Sequence, residues 1–309
     1  MRNLSDHTLS LCPHCLRKIP ARKVTEGDSV FLEKSCPEHG DLEKTLIWRN
    51  HPRSYAEWSR PGSPLQPPPN HCPYGCHACN EHGQNTCSAI LEVTHHCNLE
   101  CPVCFADSGR DACPDPDIGF LSRVLRNFVE RRGPQPIQLS GGEPTLRDDL
   151  PHIVALSRRI GFDHIQINTN GIRLALDPDY ARSLKDAGAT TVFLQFDGVT
   201  DDVYRRMRAA ELLSLKLEAV ARCAELKLGV ILVPTLVRNV NEHQVGAIIR
   251  FAARWIPTVK GVHFQPMTYL GRYPDAPRNE DRILIPDILE AIENQTDGQL
   301  KVENFIPPG

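Results

Sequence analysis

The sequence carries no excess of either charge: 35 Lys and Arg stand against 38 Asp and Glu, a formal net charge of −3. That balance gives no reason to expect a nucleic-acid backbone or an anionic membrane as partner. No run approaches 18 consecutive apolar residues, so no transmembrane segment is read. The opening MRNLSDHTLS lacks a basic segment leading into an apolar one, and no export signal is read there. Low-complexity sequence is missing too, apart from one proline-rich stretch.

Cysteine is what the chain has in quantity. Twelve occur in 309 residues, and ten of them fall between Cys12 and Cys104. Without an export signal, disulfides are not expected, and clustered CxxC-type spacings read as metal or iron–sulfur ligands in a reducing, cytoplasmic setting. With 40% of its residues hydrophobic, the chain can build one large α/β domain and a small accessory one.

Composition divides the chain. Residues 1–58 hold CPHC and CPEHG and read as a small Cys-rich metal domain of zinc-ribbon or rubredoxin-like type. Residues 59–70, SRPGSPLQPPPN, carry five prolines and read as a semi-rigid linker. Residues 71–88 form a second cysteine block, 89–275 a long α/β core, and 276–309 a C-terminal extension.

In the core, β-rich runs recur at Ala89–Val93, Ile137–Leu139, Ile165–Ile167, Val192–Phe196, Val230–Val233 and Val262–Phe264. Helical patterns lie between them. Asp149 before Leu150-Pro151 and Asp177 before Pro178 mark helix starts, and Gly188 marks a stop. Six strands alternating with helices imply parallel βαβ units. Polar and glycine-rich residues gather after each strand: the cysteines, GGEP, TNG, QFDG, PT and QP. That placement favours a partial (β/α)6 TIM-like barrel over an open doubly wound sheet, because a barrel carries its site on that face.

Three cysteine constellations follow. Cys97, Cys101 and Cys104 form C-x3-C-x2-C just after the first strand. Three thiolates are one fewer than an ordinary [4Fe–4S] cluster takes, which leaves one iron open; by spacing alone, a zinc site is the alternative. Cys72, Cys76 and Cys79 repeat the spacing, and Cys87 completes four ligands for a second [4Fe–4S] cluster or structural zinc. Cys12, Cys15, Cys36 and His39 make a Cys3His set for zinc or a mononuclear iron centre. Cys223 lies on an apolar helix face with Ala219 and Leu226 and reads as core, while Cys113, His95 and His96 read as loop residues.

The segment EVTHHCNLECPVCFA, followed by LSGGEP, TNG and QFDG, resembles the radical S-adenosylmethionine (SAM) superfamily. The doubled cysteine motif, with CPYGCHAC, HGQNTC and CPHC…CPEHG, resembles its class D methylase group, which includes pterin dimethyltransferase and tetraether lipid synthase types. The resemblance implies SAM bound at the open iron and cleaved reductively to a 5′-deoxyadenosyl radical. It implies that Gly141, Gly142, Glu143 and Pro144 meet the SAM amino group through their backbone. Asn170, Gln195, Asp197 and Thr235 would line the ribose and carboxylate pocket. It further implies a small-molecule substrate, with C-methylation of a pterin-like heterocycle favoured over lipid coupling. A methylene-folate-like methyl donor and an electron donor such as ferredoxin or flavodoxin would serve that reaction. Members of the group continue beyond the point where ENFIPPG stands here, so a shortened C-terminus is expected. A non-catalytic iron–sulfur or zinc scaffold is the competing class, and the three-thiol count argues against it.

Overall fold

A computed structural model describes residues 6–58, 87–109, 113–275 and 278–307. The linker at 59–70 and Cys72, Cys76 and Cys79 lie outside the described residues. In chain order the first elements are β1 (His7–Leu11), β2 (Lys18–Glu26), β3 (Ser29–Cys36), β4 (Gly40–Asp41), β5 (Thr45–Arg49) and α1 (Tyr55–Trp58). Then come β6 (Ala89–Thr94), α2 (Ile118–Arg132), β7 (Ile137–Gly141), α3 (Leu150–Ile160), β8 (Ile165–Thr169), α4 (Ile172–Leu176) and α5 (Pro178–Asp186). The remainder is β9 (Thr191–Gln195), α6 (Asp201–Arg208), α7 (Leu213–Glu225), β10 (Gly229–Val233), β11 (Thr235–Leu236), α8 (Val245–Arg254), β12 (Val259–Val262), β13 (Gln265–Pro266) and α9 (Ile285–Gln295).

These elements sort into two compact units. One draws on the spans 1–61, 237–246 and 277–309, the other on 62–236 and 247–276. In the first, β1, β2 and β3 form an antiparallel sheet, with β4 and β5 both pairing β3. Alternating residues of these strands bury Ile19, Ala21, Val30, Leu46 and Trp48, the period-2 pattern of a half-buried sheet. Helix α9 buries Ile288, Leu289 and Ile292 and belongs to this unit despite its distance in sequence. The Asp287 carboxylate accepts from both Arg49 on β5 and Arg238. Asn279 clasps β5 from two sides, accepting from the Leu46 amide at 2.8 Å and donating to the Lys44 carbonyl at 2.7 Å.

The second unit is a six-stranded parallel sheet in the order β6-β7-β8-β9-β10-β12. One face of every strand enters the helix-covered core: Val93, Ile137, Leu139, Ile165, Ile167, Val192, Leu194, Val230 and Leu232 are all essentially inaccessible. Paired strands in register keep the same parity, so Glu92, Ser140, Asn168, Phe193 and Ile231 line up on the opposite face. The sixth strand starts three residues earlier than its apolar pattern suggests. Pairing with β10 begins at Val230 and Val259, and that register sets the strand before Phe264 is reached. Gly188, in the left-handed region at φ 108°, follows α5 as expected, and Asp177 caps α5 by accepting from Tyr180 N at 3.0 Å. Asp149 precedes α3 but gives its carboxylate to Arg147 instead of the helix amides. Among the described residues, no helix is long and apolar enough to cross a membrane.

Candidate metal centres and the site at the strand ends

The Cys3His set converges. Cys15 Sγ and Cys36 Sγ lie 3.8 Å apart, and His39 Nδ1 sits 3.6 Å from Cys12 Sγ and 3.5 Å from Cys36 Sγ. Tetrahedral zinc with its usual bond lengths requires about 3.8 Å between two sulfurs and about 3.5 Å between sulfur and nitrogen. The four donors therefore already hold the edges of a single-ion site. Among the described residues, this is the only group of three or more such donors within 4.8 Å of one another.

Cys97, Cys101 and Cys104 stand differently. They occupy the loop after β6, and that loop is pinned by backbone. Cys97 N donates to the Gly109 carbonyl at 3.1 Å, while Cys104 and Arg272 exchange two backbone bonds of 2.9 and 2.8 Å. The Arg272 side chain adds bonds to the carbonyls of Cys101 at 2.7 Å and Ser108 at 3.0 Å. Gly271 makes this approach feasible, since a Cβ there would meet the Phe105 carbonyl oxygen at 2.4 Å. Sequence reading missed Arg272, because nothing local marks a residue 168 positions from Cys104 as its partner.

Burial pushes the Cys97 thiol up to about 11, and the charges of Glu143, Cys101 and Cys104 push the same way, against a Leu99 amide that lowers it. Three thiolates can coexist there only around a positive group, and a bound metal deprotonates its thiols outright. The three sulfurs are not all within 4.8 Å of one another, unlike the Cys3His donors.

Behind the loop, GGEP packs backbone on backbone. A Cβ on Gly141 would sit 1.9 Å from the Thr94 carbonyl oxygen, and one on Gly142 2.2 Å from that of His96. Glycine is demanded here by the cysteine loop itself, before any ligand is considered. Glu143 is buried and its carboxylate is filled: it accepts from Thr145 N (3.0 Å), Thr145 Oγ1 (2.6 Å), Thr169 Oγ1 (2.6 Å) and Asn170 N (2.6 Å). It ties the end of β7 to the end of β8. Pro144 is buried and opens the short turn 144–146.

The other four candidates come together as one chain of contacts. Asn170 Nδ2 donates to Asn98 Oδ1 in the cysteine loop at 2.8 Å. The Asn170 carbonyl and Gln195 Oε1 both accept from Lys216 Nζ. Gln195 in turn donates to Asp197. Asp197, fully buried, receives both arms of Arg208 at 2.7 and 2.9 Å and the Thr235 amide at 3.1 Å. Arg208 closes the path by donating to the Val103 carbonyl at 3.1 Å, one residue before Cys104. Desolvation opposes its charge, but the Asp197 carboxylate more than offsets it and holds its pKa raised. Burial has the upper hand on Lys216, which falls to about 7. Neither cation was singled out by sequence, although Lys216 stands on the same helical stripe as Ala219, Val220 and Cys223, an odd place for a charge.

Of the remaining cysteines, Cys223 is buried, with its thiol pushed up to about 12 by burial, while Cys87 and Cys113 are exposed. His95 is exposed and His96 half-buried, 4.0 Å from Asp115.

Residues 91–252 match the family described as Radical SAM superfamily, and residues 4–49 match that described as HMPTM N-terminal zinc ribbon domain. The chain is 40% identical over 308 residues to 7,8-dihydro-6-hydroxymethylpterin dimethyltransferase of Methanocaldococcus jannaschii. That alignment covers 97% of this chain, which spans 60% of the length of that relative. A probable GTP 3′,8-cyclase of Methanothermobacter thermautotrophicus is 32% identical over 179 residues, 57% of this chain and 56% of its own. Among solved structures, Streptococcus suis SuiB bound to precursor peptide SuiA superposes with a TM-score of 0.57 at 13% identity, covering 72% of this chain and 49% of that one. Methylornithine synthase PylB gives 0.52 at 14%, covering 69% and 62%. At these identities the structures speak to the fold alone.

Proposed function

The chain belongs to the radical SAM superfamily, and from that premise we propose that it uses S-adenosylmethionine to methylate carbon on a pterin-like heterocycle. The identity of 40% running through 97% of the chain, to a relative named for dimethylating a pterin, carries this reading. Cys97, Cys101 and Cys104 are the residues that would hold a [4Fe–4S] cluster. Bound there, such a cluster supplies the electron that cleaves SAM reductively, opening unactivated C–H bonds to attack.

The chain's own residues do the rest. Arg272 and Gly271 fix the thiol loop at both of its later cysteines. Glu143 gives its carboxylate to the strand ends, and the Gly142 and Glu143 amides already donate to the Thr94 and His96 carbonyls, so backbone carbonyls of Gly141, Gly142 and Glu143 are what this turn would offer the amino group of SAM. Asn170 and Gln195 keep polar edges beside the loop, oriented by Asn98 and Lys216. Asp197 acts through Arg208 and the Thr235 amide, and a buried ion pair of this kind fixes geometry more than it adds affinity. Cys72, Cys76, Cys79 and Cys87 are proposed to hold a second cluster, fed by a ferredoxin- or flavodoxin-type donor. The methyl group is proposed to come from a methylene-folate-like carrier.

The test is anaerobic: reconstitution with iron and sulfide, reduction, addition of SAM, and detection of 5′-deoxyadenosine by mass spectrometry. Its formation, followed by isotope transfer from labelled methylene-folate to a 6-hydroxymethylpterin, is the expected result. Deoxyadenosine without label in any pterin overturns the substrate and methyl source; no deoxyadenosine from cluster-filled protein overturns the chemistry.

A further inference from the structure

The face of the parallel sheet turned away from the helices is not apolar. Its residues in register are Ile90, Gln138, Gln166 and Thr191 in one row, and Glu92, Ser140, Asn168 and Phe193 in the next. The carboxamides are already ordered. Asn168 Nδ2 donates to Gln138 Oε1 at 3.1 Å and to Ser140 Oγ at 3.2 Å, and Gln166 Nε2 reaches Asn168 Oδ1 at 3.4 Å. This fixes the Gln138 amide with its oxygen turned toward Asn168. Among the described residues, its N–H groups have no acceptor, and the exposed Glu92 carboxylate has neither hydrogen bond nor ion pair.

Glu92 and Gln138 are diagonal neighbours on adjacent strands, within reach of one another's ligands for side chains of their length. Together they offer two acceptors followed by a donor. The complementary edge is two donors followed by an acceptor: an exocyclic amino group, a ring N–H and a carbonyl in a row. A 2-amino-4-oxopyrimidine presents that edge, in pterins and in guanine alike. Further along the same row, Phe193 packs with His263 at a ring separation of 5.6 Å and a tilt of 57°. Partial desolvation lowers the pKa of His263. From β6 to β9 the sheet spans about 14 Å, at the usual inter-strand spacing. A carboxylate side chain, its hydrogen bond and a two-ring heterocycle fill that distance together.

We propose that Glu92 and Gln138 read the amino-lactam edge of a fused 2-amino-4-oxopyrimidine whose second ring lies toward Phe193 and His263. The assignment rests on the pterin reading above and names the atoms that would enforce it. It also explains why an edge strand exposes a carboxylate on the face of the sheet where neighbouring strands carry amides.

The test is anaerobic equilibrium dialysis of the reconstituted full chain with three probes: 6-hydroxymethylpterin, its 2-oxo counterpart 6-hydroxymethyllumazine, and GTP. Replacing the 2-amino group by a carbonyl turns a donor into an acceptor facing Glu92, so the wild type should prefer the pterin by about tenfold or more. Glu92→Gln should weaken pterin binding by about 10- to 100-fold and flatten that preference; Gln138→Met should weaken binding by about tenfold without flattening it. Glu92 is exposed, whereas Gln138 is half-buried and bonded to Asn168, so the cluster absorbance serves as the folding control for both variants. Tight pterin binding that both variants retain overturns the assignment and leaves the pterin reading standing. Glu92-dependent binding of GTP with none of the pterin supports the edge and removes the pterin as substrate. Binding of none of the three overturns the assignment, and label transfer then judges the pterin reading by itself.

Discussion

The ribbon and the barrel each hold cysteines in a pinned loop, yet they are built for different occupants. In the ribbon four donors all stand within 4.8 Å of one another, like the corners of one tetrahedron, with nothing left over for a ligand. The barrel gives three thiols, spaced more widely, and surrounds them with buried polar groups that pair with one another. A closed set stabilises a fold, whereas an incomplete set with a rigid surround is suited to chemistry. Counting ligands separates the two sites more cleanly than counting cysteines.

Cys101→Ala offers the largest effect that would break this contrast. It should remove the barrel's iron and lower deoxyadenosine formation by about a thousandfold or more, with one zinc per chain retained by metal analysis; full activity would end the three-thiol argument. His39→Ala probes the opposite side. Structural zinc contributes about 10–16 kcal/mol to small zinc-dependent folds, so this variant should lose zinc and become protease-sensitive within residues 6–58 while the iron–sulfur absorbance stays.

Asp197→Asn sharpens the contrast within the barrel. It leaves Arg208 charged, buried and without its carboxylate, at a cost of about 3–5 kcal/mol, visible as a lowered melting temperature of the apo-protein. The effect of Lys216 is confined to a pH window and is the smallest per pH unit. Below pH 7 both folded and unfolded chains carry its proton, and the burial penalty applies in full. Between pH 7 and its ordinary value of 10.5 only the unfolded chain holds the proton, so stability rises with pH in that window. Each unit is worth about 1.4 kcal/mol. Lys216→Met should remove that slope in denaturant titrations; an unchanged slope would mean the lysine stays charged.

Much of this was legible in the chain. The cysteine spacings gave the Cys3His set that converges and the three cysteines that share the loop after β6, and apolar runs between glycine-rich breaks gave six parallel strands with the polar residues at one end. Two kinds of feature were not. Arg208 and Lys216 lie on helices where charged residues usually face water, and only the tertiary fold turns them inward. Lys216 did leave a trace, a charge on the apolar stripe of α7. The joining of α9 to the ribbon left none. It depends on single contacts such as Asp287 with Arg49, 238 residues apart, and no local pattern encodes a pairing of that span.

That pairing bears on the timetable of synthesis. The ribbon emerges first from the ribosome, but Asn279 and Asp287, which close its β5 edge, follow more than two hundred residues later. At ordinary translation rates of about 5–20 residues per second, the gap is roughly ten to fifty seconds. Through that interval β5 lacks both partners, and the ribbon rests on its own buried apolar residues and on the four metal donors. Until they arrive, whatever order the ribbon has must come from within residues 6–58, its four metal donors among them.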